Sequence, residues 1–189
     1  MPWNEIETPA DAWLIAETWL PLAAGPADPY WIKAARQLLA DVLLAIPAST
    51  RCNGELYRCC VIAGNDELQT LLAGTVSGRL FASEAGERMR ESIRNTLATE
   101  LRALPFLDAT ARPGQGFSMR RWLRDSLASG DGRRVFLCCP PAQAAAIAPL
   151  IAIFIESAAA ALLALGTDRN RRVGFLIGPP LIFSAIYDE

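Results

Sequence analysis

Residues 142–165 are almost uninterruptedly apolar, and a run of that length narrows the folds open to the chain. It is long enough to cross a bilayer as a helix. Three details favour a buried core helix instead. Glu156 puts a charge inside the run, Pro149 interrupts it, and its commonest residue, alanine, contributes little transfer energy. Short apolar runs flank it. Residues 134–139 (RVFLCC) lie between the turn Ser129-Gly130-Asp131-Gly132 and Pro140-Pro141, and residues 173–177 follow the basic turn 168–172. Each has the length and punctuation of a buried strand. Strand, helix, strand predicts a βαβ crossover with parallel strands.

The first hundred residues read differently. Thr8-Pro9-Ala10-Asp11 is a helix start, with proline at the first helical position and an acid placed to close a capping box. Trp13, Leu14, Ala16 and Leu20 follow, and Pro21 closes that helix. Asp28-Pro29 opens a second one, in which Trp31, Ala34, Ala35, Leu38, Leu39, Val42 and Leu43 recur at three and four residues. Residues 54–63 predict a short helix, and Asn65-Asp66-Glu67 starts another that ends at Gly74. A longer helix from Ser83 to about Leu104 carries Met89, Ile93, Leu97, Leu101 and Leu104 on one side. After Pro105 the texture changes. Residues 111–116 form a turn, and Ser118 caps a short basic helix over residues 119–127. The chain divides near residue 108, and the expected fold is α-rich α/β, an all-α helical part followed by a βαβ unit.

The charge is unevenly spread. Residues 1–86 hold 10 acidic and 5 basic side chains, whereas residues 87–134 hold 6 acidic and 10 basic. The middle third is therefore the expected surface for an anionic partner. Arg120, Arg121 and Arg124 share one short helix with Trp122, a pattern suited to phosphates and a stacked base. The competing reading makes Trp122 core and pairs the arginines with local acids. The five cysteines, Cys52, Cys59, Cys60, Cys138 and Cys139, make neither a disulfide framework nor a C-x-x-C site. With no histidine in the chain, Ser-His and Cys-His catalysis is excluded and a metal site is not expected. The first residues lack a basic region followed by an apolar stretch, so a signal peptide is not expected.

Four separated blocks carry a family resemblance. They are Asp28-Pro29-Tyr30-Trp31 with Ala34-Ala35-Arg36; residues 92–97 (SIRNTL); residues 117–125 (FSMRRWLRD); and residues 168–173 (DRNRRV). In this order they resemble bacterial conjugative coupling proteins of the TraD type. In that family a membrane-anchored hexameric RecA-like ATPase with an inserted all-α domain delivers relaxase-bound DNA to a type IV secretion channel. The resemblance implies an N-terminal segment of the motor domain at 1–26, the all-α insertion at 27–108 and a partial RecA-like βαβ unit at 109–189, of which 109–177 matches the stretch leading to the Walker B strand.

The departures bear on activity. No G-x-x-x-x-G-K-[ST] loop occurs in the chain. Where the family has Asp-Glu-Leu-Pro after the Walker B strand, this chain has Gly178-Pro179-Pro180-Leu181, and Gly174 stands where the family has an aromatic residue. The missing acids would assist Mg²⁺ and orient the attacking water, a role that Asp188-Glu189, ten residues on, is not placed to take. ATP and Mg²⁺ serve the intact family, but no cofactor, no catalytic residue and no enzymatic activity are expected here. The expectation is a truncated coupling protein that contributes to DNA transfer as a DNA- or relaxosome-binding module. Its partners would be single-stranded DNA, a relaxase or relaxosome protein, and further copies of itself. No membrane span is expected, and the location would be cytoplasmic, including the cytoplasmic face of the bacterial inner membrane. Two alternatives stand beside it. One is a vestigial fragment without independent function. The other is a nucleotide-binding subunit active only with intact partners, in which Arg171 and Arg172 would approach a neighbour's phosphate.

Overall fold

The structure, a computed structural model, describes residues 2–22, 30–82, 86–130, 134–137, 141–164 and 174. Among the described residues, eight α-helices follow one another: α1 (Pro9–Trp19), α2 (Tyr30–Ala45), α3 (Asn53–Tyr57), α4 (Asn65–Leu71), α5 (Gly78–Ala82), α6 (Glu87–Glu100), α7 (Met119–Ser129) and α8 (Ala144–Ala164). A π-helical turn, Arg58–Ile62, extends α3, and a 3₁₀ turn, Leu101–Phe106, extends α6.

Helices α1, α2 and α7 form where their caps and stripes predicted them. Asp11 closes the start of α1 by accepting from the Thr8 and Glu7 backbone N–H groups at 2.6 and 3.0 Å. Its inner face is Ala12, Ile15, Ala16 and Trp19, packed against α2 and α8. The predicted stripe of α2 is buried from Ala35 to Leu43, while Trp31 at its start is exposed. Ile93 and Leu97 of α6 face α2. One core joins these elements, from Trp3 near the N-terminus to Ile153 in α8. Trp19 lies at its centre with no exposed surface, and its indole N–H donates to the Glu100 carbonyl at 3.2 Å. A buried polar N–H of that kind needs such a partner.

The βαβ expectation is overturned. Among the described residues there is no strand, and the architecture is all-α. Residues 134–137, the described part of the first predicted strand, are irregular, and Phe136 is 69% exposed where a core strand would bury it. The reason is backbone hydrogen bonding. An extended segment satisfies its N–H and C=O groups only against a neighbouring strand, and the described residues offer none. The apolar composition that suggested a strand is equally compatible with a loop beside a helix. The second predicted strand, 173–177, lies outside the described residues except for Gly174, which is exposed and irregular.

The apolar run does form a helix, but α8 is not a sheet crossover. Its buried side, with Leu150, Ile153, Ala158 and Ala161, packs on α1, α7 and the 3₁₀ turn. Much of the rest faces outward. Pro141–Ala164, counted with the 3₁₀ turn before α8, is one helix long and apolar enough to cross a membrane by length and composition, with 22% of its most apolar window buried.

The sequence reading also missed α5. Its first residue explains why it fits: Gly78 sits so tightly over the end of α4 that an added Cβ would collide with the Leu72 carbonyl oxygen. That oxygen already accepts from Thr75 N–H and Oγ1, at 3.0 and 2.9 Å. Gly78→Ala is therefore expected to destabilise the fold by about 1–3 kcal/mol, the usual cost of overpacking. Urea denaturation checks this, and a midpoint equal to wild type would show that the α4–α5 turn yields freely.

Candidate nucleic-acid interface

The start of α7 is assembled from two distant parts of the chain. Gly114 and Gly116 both have φ in the left-handed region, at 83° and 73°, which lets the loop turn tightly ahead of the helix. Ser118 then caps α7, its Oγ accepting from Arg121 N–H at 3.2 Å. The next two amides are taken by Glu5. Its carboxylate is 1% exposed and accepts from Met119 N–H at 2.7 Å and Arg120 N–H at 3.1 Å. A carboxylate here satisfies orphan donors and meets the positive end of the helix dipole. Asn4 ties down the loop, donating to the Gln115 and Phe117 carbonyls and accepting from Gly114 N–H. Trp3 anchors the segment in the core beneath the Arg51 guanidinium, 5.3 Å from the ring centroid.

This clasp sorts the four residues singled out in the sequence. Arg120 is drawn inward and pairs with Asp11 at 2.6 Å, with the two side chains 14% and 11% exposed. Arg124 meets Glu7 at 2.8 Å on the outside, and those side chains are 59% and 50% exposed. Glu7 also reaches Arg120, at 3.6 Å. Arg121 is exposed and makes no ion pair among the described residues. Trp122 is half-buried and packs on a small cluster of Met119, Leu123, Ala158 and Ala161 between α7 and α8. Arg121 and Arg124 thus present charge to solvent, while Arg120 and Trp122 fasten α7 in place. Arg171 and Arg172 lie outside the described residues. Sequence reasoning missed Asn4, Glu5 and Glu7, whose partners lie more than a hundred residues away and leave no local signal.

Other arginines of the middle third have structural partners. Arg90 Nη1 donates to the Leu80 carbonyl at 3.0 Å, Arg94 Nη2 to that of Ala63 at 2.5 Å, and Arg112 Nη1 to that of Ser49 at 2.6 Å. Arg88 and Arg102 are exposed. The buried cysteines offer no chemistry at neutral pH. Desolvation, reinforced by nearby Glu55, pushes the Cys59 thiol up to about 12, and burial also raises Cys60. No group of histidine, cysteine, aspartate or glutamate that could hold a metal occurs among the described residues.

The arrangement is an all-α module in which one short, well-capped helix, α7, carries the exposed side chains of Arg121 and Arg124 on its outer side. The sequence profile of the type IV secretion-system coupling protein DNA-binding domain matches residues 1–178, and the chain belongs to that family. It is 26% identical over 174 residues to coupling protein TraD of Escherichia coli (strain K12), covering 92% of this chain and 24% of TraD. Two solved structures are similar at 26% identity. One is the bacterial conjugative coupling protein TrwBdeltaN70 in its trigonal form with sulphate, with a TM-score of 0.71 over 89% of this chain and 39% of that one. The other is plasmid coupling protein TrwB in complex with the non-hydrolysable ATP analogue ADPNP, with a TM-score of 0.72 over 90% of this chain and 40% of that one. The chain therefore spans about a quarter of TraD and two-fifths of the TrwB structures. The resemblance read from the four sequence blocks is borne out.

The clasp has a pH signature. Desolvation alone would raise the Asp11 carboxyl. Hydrogen bonds from Thr8 Oγ1, the Thr8 and Glu7 backbone and Arg120 outweigh it and hold the group below its ordinary 3.8. A depressed folded pKa stabilises above the unfolded value, and that stability is lost as pH falls through the folded one. Asp11→Asn is expected to lower the melting temperature at neutral pH and to converge toward wild type below about pH 4. Thermal melts from pH 7 to 2 check this, and parallel curves would exclude Asp11 as a source of the acid sensitivity.

Proposed function

We propose that this chain is a DNA-contacting module of a conjugative coupling protein, engaging single-stranded DNA through the solvent face of α7 and lacking motor activity of its own. The observation that carries the reading is the coincidence of the family match over residues 1–178 with the exposed guanidinium groups of Arg121 and Arg124. On a helix, positions three apart share a face, so these two cations meet one stretch of phosphate backbone. Such contacts release condensed counterions and make affinity fall with salt.

The division between fixed and accessible groups suits this role. Arg120, Glu5 and Ser118 set the helix start, and Trp122 seats α7 on α8. Arg121 and Arg124 then act from a defined position and lose less freedom on binding. Motor activity is not part of the proposal, because the sequence contains no phosphate loop and has Gly178 and Pro179 where the family's Walker B acids stand. A working location in the cytoplasm, at the inner face of the membrane that holds the secretion channel, follows from the same reading.

Fluorescence anisotropy of a labelled oligothymidylate, titrated against salt, tests this. Affinity should fall linearly in log–log form, and Arg121→Ala should lower it and reduce the slope by about 0.7, the value for one phosphate contact on a single strand. Arg121→Lys should keep most of the slope. Absence of binding at low salt, or an Arg121→Ala protein indistinguishable from wild type, would overturn the DNA reading and leave a relaxase or relaxosome protein as the partner to test by pull-down.

A further inference from the structure

Resting on the reading just given, we infer that Glu7 is an intramolecular competitor for the phosphate site of α7, so that the N-terminal segment limits DNA binding until Glu7 is displaced. The geometry is that of an anion bridging two guanidinium groups. Glu7 Oε1 lies 2.8 Å from Arg124 Nη2, and its Oε2 lies 3.6 Å from Arg120 Nη1. Arg120 and Arg124 are one helical turn apart and share a face. A phosphodiester also presents anionic oxygens, so it can take the exposed Arg124 in place of Glu7 while Arg120 stays with Asp11. Occupation by Glu7 and occupation by a phosphate are mutually exclusive at Arg124.

The neighbouring contacts show why Glu7 can leave without unfolding the clasp. Glu5 is buried and holds the first amides of α7, while Asp11 is buried against Arg120 and fixed by Thr8. Glu7 sits between these two anchors, exposed, and its side chain makes ion pairs only with Arg120 and Arg124 among the described residues. Exposed pairs of this kind are weak and screened by salt. A polyanion that adds several contacts at once can displace it. No step of that exchange requires α7 to move.

The test compares Glu7→Gln with Glu17→Gln in the full chain, reading anisotropy of the same oligothymidylate. Glu17 is an exposed acid of α1 whose carboxylate makes no ion pair among the described residues, so its change removes the same charge elsewhere. Glu7→Gln should tighten binding by about two- to fivefold at low salt, the range set by the strength of an exposed ion pair, and steepen the salt slope. Glu17→Gln should do neither. The gain should vanish in an Arg124→Ala background, since the competitor would then have nothing to release. Circular dichroism should show both variants folded as wild type. A Glu7→Gln protein with wild-type affinity, an equal gain from Glu17→Gln, or a gain that survives Arg124→Ala would each overturn the competition while leaving DNA binding itself intact. Absence of binding by wild type and by Glu7→Gln alike would overturn both readings.

Discussion

Helix ends are the constraint on which the rest of this structure depends. Each α-helix leaves up to four N–H and four C=O groups without intrahelical partners, and most helices here are short, so a large share of the backbone stands near an end. Remote charged side chains supply many of the missing partners. At carboxyl ends the donors are arginines. Arg36 reaches the Leu20 carbonyl at 2.7 Å just past α1, Arg51 the Ile46 carbonyl at 3.0 Å past α2, and Arg94 the Ala63 carbonyl past the π turn. At the amino end of α7 the acceptor is Glu5. Both sets match the sign of the helix dipole, and all but the local Arg51 contact tie together segments separated in sequence. The ends of the helices therefore help to hold the tertiary fold as well as to terminate local structure.

This changes the meaning of the chain's charge distribution. A net positive middle third reads as an open cationic surface when only composition is known. In the structure Arg90, Arg94 and Arg112 donate to backbone carbonyls and Arg120 to a buried carboxylate. Guanidinium suits this use, since it carries several donors and stays charged at any relevant pH. What is left for an external anion is narrower than the count suggests: Arg121 and Arg124 on α7, with Arg88, Arg102 and Arg134 exposed elsewhere.

How much of this was legible in the sequence depends on the range of the interaction. Local signals held: Thr8 with Asp11 at α1, Ser118 at α7, and the three- and four-residue stripe of α2. The four family blocks were legible too, because they are patterns of adjacent residues. The predicted βαβ unit failed at residues 134–137, the described part of its first strand, because a strand is defined by its neighbour, and composition cannot show whether a neighbour is present. Short α5 escaped notice because its start depends on a glycine fitted against Leu72 and on Asp41 accepting from Ser77 N–H at 2.9 Å, a contact across 36 residues. For the candidate site, the sequence placed Arg120, Arg121 and Arg124 on one helix, as the structure has them, but did not rank their exposure. Their burial is decided by Glu7 and Asp11, more than a hundred residues away.

The clasp over α7 also shows how one set of acids can serve two ends. The Arg120–Asp11 pair is nearly withdrawn from solvent, and removing one partner of such a pair leaves a buried charge at a cost of about 3–5 kcal/mol. The Arg124–Glu7 pair is exposed and worth about 0–1 kcal/mol. The difference is large enough to separate their roles. The outer pair can open at small cost, whereas opening the inner one would strand a buried charge. Had both pairs been buried, the arginines would be unavailable to phosphate. Had both been exposed, α7 would rest on its packing against α8 and on the Glu5 cap alone. The graded burial of Asp11 and Glu7, two carboxylates one helical turn apart in sequence, lets a single segment hold the helix and still leave its outer face open to a partner.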